Sequence, residues 1–194
     1  MAQSKRFSSF ILLFISILAV STAAILIRLV NDQVSALVIA AYRLGLSACL
    51  SALIYFGSRH GQAKPNKRQF IWMAFSGAFL AAHFAAWISS LEYISVSSSV
   101  ILVTTTPLWV ALLSPLVLKE KVPPGFYLGM LFALLGGVVI AFSGPCKLSG
   151  SGLACAGKML DSSPETLRGM LLALAGAWMA SGYMLIGRKI RAET

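Results

Sequence analysis

Away from the ends of its apolar stretches this sequence offers two basic side chains and one helix break. Arg43 stands near the middle of the run Val34 to Phe56. An unpaired arginine there costs about 2.5–3.5 kcal/mol on insertion scales, so it must face protein or a wet cavity. It is either an anchor for a carboxylate or other anionic group, or a donor to backbone carbonyls freed by a kinked neighbour. His83 and Trp87 are four apart in the run Phe70 to Ser90 and share a helix face. They either line a cavity that binds substrate or relays a proton, or they are an imidazole bonded across helices and an indole at the outer interface. Pro107 lacks an N–H and frees the carbonyl of Val103, while Thr104, Thr105 and Thr106 bring hydroxyls to the break and Trp109 follows two residues on. A broken helix at mid-depth is either a binding site or a packing kink. At the outer ends, Arg28 and Glu92 are either a gate pair or separate charges at the headgroup level.

The carboxylates are as informative by position. Asp32, Glu92, Glu120, Asp161, Glu165 and Glu193 all fall in loops or at the ends of apolar runs. Export of a cation neutralised on a buried acid therefore has no acid here to use. No cofactor and no metal site is called for, and an intramembrane serine protease is not expected, because Ser76-Gly77 and Ser143-Gly144 lack the preceding glycine of a Gly-x-Ser-Gly loop.

The elements that carry these residues are set by composition. With 58% apolar and 11% charged residues in 194, the chain has too little polar surface to cover a soluble globule. The net charge of +10 does not mark a nucleic-acid binder, because the basic residues sit at the ends of apolar runs and not on one face. Six runs are long enough to cross a bilayer: Phe7 to Val30, Val34 to Phe56, Phe70 to Ser90, Val96 to Leu118, Phe126 to Phe142 and Leu167 to Ile186. The first is too long for a cleaved signal and lacks a clear cleavage site. An all-α polytopic membrane protein follows, with the lipid bilayer as its solvent.

A cytoplasmic N-terminus puts eleven Lys and Arg inside (Lys5, Arg6, Arg59, Lys64, Lys67, Arg68, Lys119, Lys121, Arg188, Lys189, Arg191) and three outside (Lys147, Lys158, Arg168). That asymmetry predicts both termini in the cytoplasm of a cell (inner) membrane. The exposed loop 144–166 then lies outside with Cys146 and Cys155, either bridged or as two free thiols.

Small residues at every fourth position predict contact faces on three spans: Ala74, Ala78, Ala82, Ala86 and Ser90; Gly129, Ala133 and Gly137; and Gly169, Ala173, Ala177 and Ser181. The sixth span loosely echoes the first in the opposite orientation, as Leu12-Leu13, Ala19, Ser21 against Leu171-Leu172, Ala180, Ser181. Five spans between a segment and its reversed copy is the plan of an inverted repeat.

Several motifs run in series: A-x-x-R ending at Arg43, H-F-x-x-W-x-x-S-L-E-Y-x-S-V from His83, T-x-P-x-W from Thr105, L-x-x-P-L-x-L-K-E-K from Leu112, and Y-L-G-M-L-x-A-L-L-G-G-V-V-I from Tyr127. Together they resemble the N-terminal repeat of the EamA-type permeases of the drug/metabolite transporter superfamily. The resemblance implies two inverted five-helix repeats around a central cavity, and export or exchange of small metabolites such as amino acids. It also implies a turn-organising role for Glu120. On that plan residues 1–143 are one EamA-like repeat, 144–166 an external loop, and 167–194 the first helix of a second, incomplete repeat. The implied function is a transporter of amino-acid or drug-like metabolites by alternating access, with a cavity that includes Arg43, His83, Trp87, Thr105, Pro107 and Trp109. A small-molecule substrate is its partner, and the missing repeat or a homodimer partner completes it. The other expectation is a non-transporting membrane subunit or an inactive fragment.

Overall fold

Where no water reaches, every backbone N–H and C=O must be paired within the protein, so runs of this length and apolarity fold as helices. The computed structural model describes residues 2–30, 33–57, 66–143, 146–149, 152–155 and 163–192. These form α1 (Ala2–Val30), α2 (Ala36–Gly57), α3 (Lys67–Tyr93), α4 (Val96–Val103), α5 (Thr106–Val117), α6 (Pro124–Ser143), β1 (Cys146–Ser149), β2 (Gly152–Cys155) and α7 (Pro164–Ala192). Asp32, Arg59, Lys64, Lys158, Asp161 and Glu193, used above to argue sidedness and the absence of buried acids, lie outside the described residues.

Among the described residues five helical spans have the length and composition to cross a bilayer, and α6 contributes a shorter apolar stretch, Pro124–Gly137. Large apolar side chains such as Phe10, Leu37, Leu46, Leu53, Phe56, Phe132 and Leu135 are exposed along α1, α2 and α6. In water such surfaces would drive aggregation; in hydrocarbon they are the lipid face. The chain is a multi-pass membrane protein.

Local signals set the ends. Asn66 caps α3 reciprocally with Gln69: the Gln69 N–H donates to Asn66 Oδ1 at 2.8 Å and the Asn66 N–H to Gln69 Oε1 at 3.0 Å. Ser95 Oγ accepts from the Ser98 N–H at the start of α4. Pro164 opens α7 three residues before the expected start, behind Ser163, whose Oγ accepts from the Thr166 N–H at 3.2 Å. Lys119, with φ of 56°, turns the chain out of α5 in the left-handed conformation.

The fourth span is broken where Pro107 predicts: it is two helices, because the chain is not helical at Thr104 and Thr105. One element differs from expectation. The loop 144–166 carries a two-stranded antiparallel hairpin, β1 against β2. Its short strands, with Gly and Ser at the connection, give too brief a period-two pattern to stand out from a loop.

The structure is organised on α3. Its longest partner is α7, antiparallel and in constant register from end to end. Arg168 lies over the Tyr93 ring at 4.9 Å, Gly176 meets Trp87, Ser76 Oγ donates to Tyr183 O at 3.4 Å, and Lys189 lies over the Trp72 ring at 5.1 Å. The small-residue face of α7 is buried as its spacing predicts, at Gly169, Ala173, Ala177 and Ser181. The small-residue series on α3 is a contact face only at its C-terminal end: Ser90 is buried and Ala86 half-buried, whereas Ala74, Ala78 and Ala82 are exposed, and Ser76, Trp87, Ile88 and Leu91 fill the rest of the buried face. On α6, Gly129 and Ala133 are exposed, and only Gly137 meets a neighbour, Ile101 of α4. A second core joins α1, α2 and α3 through Ala24, Ile27, Ala36, Ala40, Trp87, Ile88 and Leu91.

Candidate functional site

Between α1, α2, α3 and α4 lies a cavity of about 790 Å³, and Arg43, His83 and Trp87 line it together. α1 contributes Leu13, Ser16, Ile17, Val20, Ser21, Ala24 and Ile25; α3 adds Phe84; and α4 and its end add Val96, Ser97, Val100, Val103 and Thr104. The walls are apolar with a few hydroxyls, one imidazole and one guanidinium, the make-up of a pocket for a small amphipathic molecule.

Arg43 is half-buried. Its guanidinium carbon lies 4.7 Å from the centroid of the Phe84 ring and 5.7 Å from that of Trp87. Aromatic faces stabilise the cation without neutralising it. No carboxylate pairs with it: among the described residues the one ion pair joins Arg188 to Glu120, at 2.7 Å. Its charge is therefore available to a ligand, and the alternative role as a donor to carbonyls of a kinked helix finds no such hydrogen bond among the described residues.

His83 Nδ1 lies 2.8 Å from the carbonyl oxygen of Gly176 on α7. A carbonyl only accepts, so Nδ1 carries the proton in that bond. The imidazole is thus held across helices and also lines the cavity, combining the two readings of it. Its ring stacks on Trp87, with centroids 6.1 Å apart and planes 10° apart. Trp87 is buried, and its Nε1–H has no acceptor among the described residues. A buried unpaired N–H is uncommon and costs free energy until an acceptor meets it.

The other expected site residues lie apart. Thr105, Pro107 and Trp109 are not in the cavity lining. The threonines serve the helix break itself: Thr104 donates to Ile101 O at 2.9 Å, Thr105 to Leu102 O at 2.7 Å, and Thr106 to Val103 O at 2.7 Å. The last of these fills the place of the N–H that Pro107 lacks. Trp109 Nε1 donates to Thr105 Oγ1 at 3.3 Å, so these two side chains hold each other. Thr106 and Ser181 bring the break against α7: the Ser181 hydroxyl shares its proton between Ala177 O at 2.8 Å and Thr106 O at 3.1 Å, and Thr106 Oγ1, whose proton goes to Val103 O, lies 3.4 Å from Ala177 O. Arg28 and Glu92 are both exposed and form no ion pair with each other.

The α1 wall and Phe84 were not expected in the cavity, and Thr104 was expected only at the helix break. Phe84 had a signal, since it directly follows His83 and stands three residues before Trp87, on the same helix face. The α1 wall had almost none beyond Ser16 and Ser21, set in an otherwise apolar helix.

No curated protein and no solved structure matched the chain. The model of the EamA-like transporter family matches residues 7–142, a stretch that holds α2 to α5, all but the ends of α1 and α6, and every cavity-lining residue named above. With the bilayer-length helices and the motifs from Arg43 to Ile140, that match makes the chain a member of the EamA-like transporter family, within the drug/metabolite transporter superfamily, whose members are membrane transporters and not enzymes.

Proposed function

We propose that this chain carries small metabolites bearing a carboxylate, amino acids among them, across the cell (inner) membrane by alternating access, with both termini in the cytoplasm. The observation that supports this most is Arg43: a cation with no acidic partner among the described residues, held over Phe84 and Trp87 beside an apolar cavity of about 790 Å³. Such a site attracts an anionic head and an apolar body, and with no acid in its lining it disfavours cationic drugs. α1 to α6 are one repeat in this reading, and α7 is the first helix of an inverted second one, with the rest of that repeat or a second copy of the chain completing the cavity.

Ligand-induced thermal stabilisation of the protein in nanodiscs tests it. Carboxylic acids with apolar bodies should raise the melting temperature, and their neutral amides and matched amines should not. In Arg43→Ala the acid-specific shift should vanish. Equal shifts for acid and amide, or a shift that survives in Arg43→Ala, would remove the anion-binding role.

A further inference from the structure

The pairing register of the hairpin between α6 and α7 sets Cys146 directly opposite Cys155, followed by Lys147 opposite Ala154, Leu148 opposite Leu153 and Ser149 opposite Gly152. The two cysteines are thus the outermost pair, where the strands leave for α6 and α7. Directly opposed residues of an antiparallel pair have Cα atoms about 4.5–5.5 Å apart, within the roughly 4.4–6.8 Å that a disulfide spans. A cysteine pair at any other register of this hairpin would need the backbone to move.

We propose that Cys146 and Cys155 form an intramolecular disulfide that closes the base of this hairpin on the outer side of the membrane. The proposal rests on the cytoplasmic placement of the termini, because only the outer side supplies the oxidant. The reaction is thiol–disulfide exchange with a disulfide-bonded oxidant, either a low-molecular-weight disulfide or an oxidised thiol–disulfide oxidoreductase. One cysteine thiolate attacks the oxidant's sulfur, its S–S bond breaks and the first thiolate leaves. The second cysteine thiolate then attacks the mixed disulfide and expels the other thiolate. The chain loses two electrons and two protons, and the oxidant leaves as two thiols.

Physical need and position agree. A two-stranded hairpin alone is marginally stable in water, and a cross-link at its open end removes the frayed states that compete with it. The link also ties together the chain ends that leave α6 and enter α7, the connection between the two proposed repeats. Cys49, on the exposed surface of α2, remains free and serves as an internal control.

Thiol counting on the whole chain tests this. Membranes are dissolved in SDS with N-ethylmaleimide, with or without prior reductant, and intact mass is read, while a membrane-impermeant maleimide is applied to intact cells after an impermeant reductant. The expected result is one adduct without reductant, three with it, and labelling of Cys146 and Cys155 from outside only after reduction. Cys146→Ser should raise the unreduced count to two, because Cys155 loses its partner. Three adducts without reductant overturn the bridge, and the outside labelling then shows whether the sidedness stands or falls with it. An unreduced count of one in Cys146→Ser also overturns it, since Cys155 would then be paired elsewhere.

Discussion

His83 on α3 and Gly176 on α7 are joined by a 2.8 Å hydrogen bond from Nδ1 to the glycine carbonyl, so a residue that lines the cavity also ties α3 to α7. The bond should stabilise the α3–α7 pair by about 1 kcal/mol. His83→Leu should lower the melting temperature of the purified protein, and His83→Asn, whose amide can donate from nearly the same position, should lower it less. Equal loss in the two variants, read by thermal unfolding in micelles, would mean that ring packing and not the hydrogen bond matters.

The glycines differ sharply in what surrounds them. A Cβ at Gly169 would lie 2.7 Å from Tyr93 Cβ and 2.8 Å from Ile94 Cγ2, whereas one at Gly136 meets nothing within 4 Å. Gly169→Ala should therefore destabilise by about 1–3 kcal/mol from overpacking, less what helix propensity returns. Gly136→Ala should be neutral or stabilise by up to about 1 kcal/mol. Unfolding by SDS titration checks the opposite signs.

At the break, the Thr106 hydroxyl occupies the Val103 carbonyl that Pro107 leaves unpaired. Thr106→Val alone should cost about 1–3 kcal/mol, because it leaves that carbonyl without a donor in a dry environment. In a Pro107→Ala background, where an N–H is restored, the same substitution should cost clearly less. A double-mutant cycle measures the difference, and additive losses would show that the hydroxyl does not serve the carbonyl.

Glu120 and Arg188 tie the end of α5 to the end of α7 at 2.7 Å, with both side chains about half exposed. An exposed pair of this kind is worth roughly 0–1 kcal/mol and weakens with salt. Glu120→Arg should loosen the end of α7, seen as faster amide hydrogen exchange over 186–192. The charge swap Glu120→Arg with Arg188→Glu should restore protection at low salt, and no recovery would leave the pair without an energetic role.

The spans were legible because hydrocarbon thickness fixes helix length, and Arg43, His83 and Trp87 were legible because polar groups at that depth must face protein or a cavity. Thr105 and Trp109 were harder to place. Their types suit a site, yet Thr105 gives its proton to Leu102 O and accepts from Trp109, a local use of a hydroxyl that residue type does not reveal. The α3 contact face was obscured by alanines, which are frequent on every side of a membrane helix, while the series Gly169, Ala173, Ala177 and Ser181 marked the buried face of α7; the same spacing on α6 did not, since Gly129 and Ala133 are exposed. The α1 wall is built from Leu, Ile, Val and Ala, the same residues that face lipid elsewhere, so only its neighbours reveal which side encloses the cavity.

Transport by cells expressing Arg43→Ala, normalised to the amount of protein inserted in the membrane, is the most direct test of a cavity centred on this guanidinium. Flux of an apolar carboxylate should fall by an order of magnitude or more while insertion stays near wild type, since about 1.4 kcal/mol of lost anion binding already gives tenfold. Flux that falls only in proportion to insertion would return Arg43 to a structural role and remove the anion site with it.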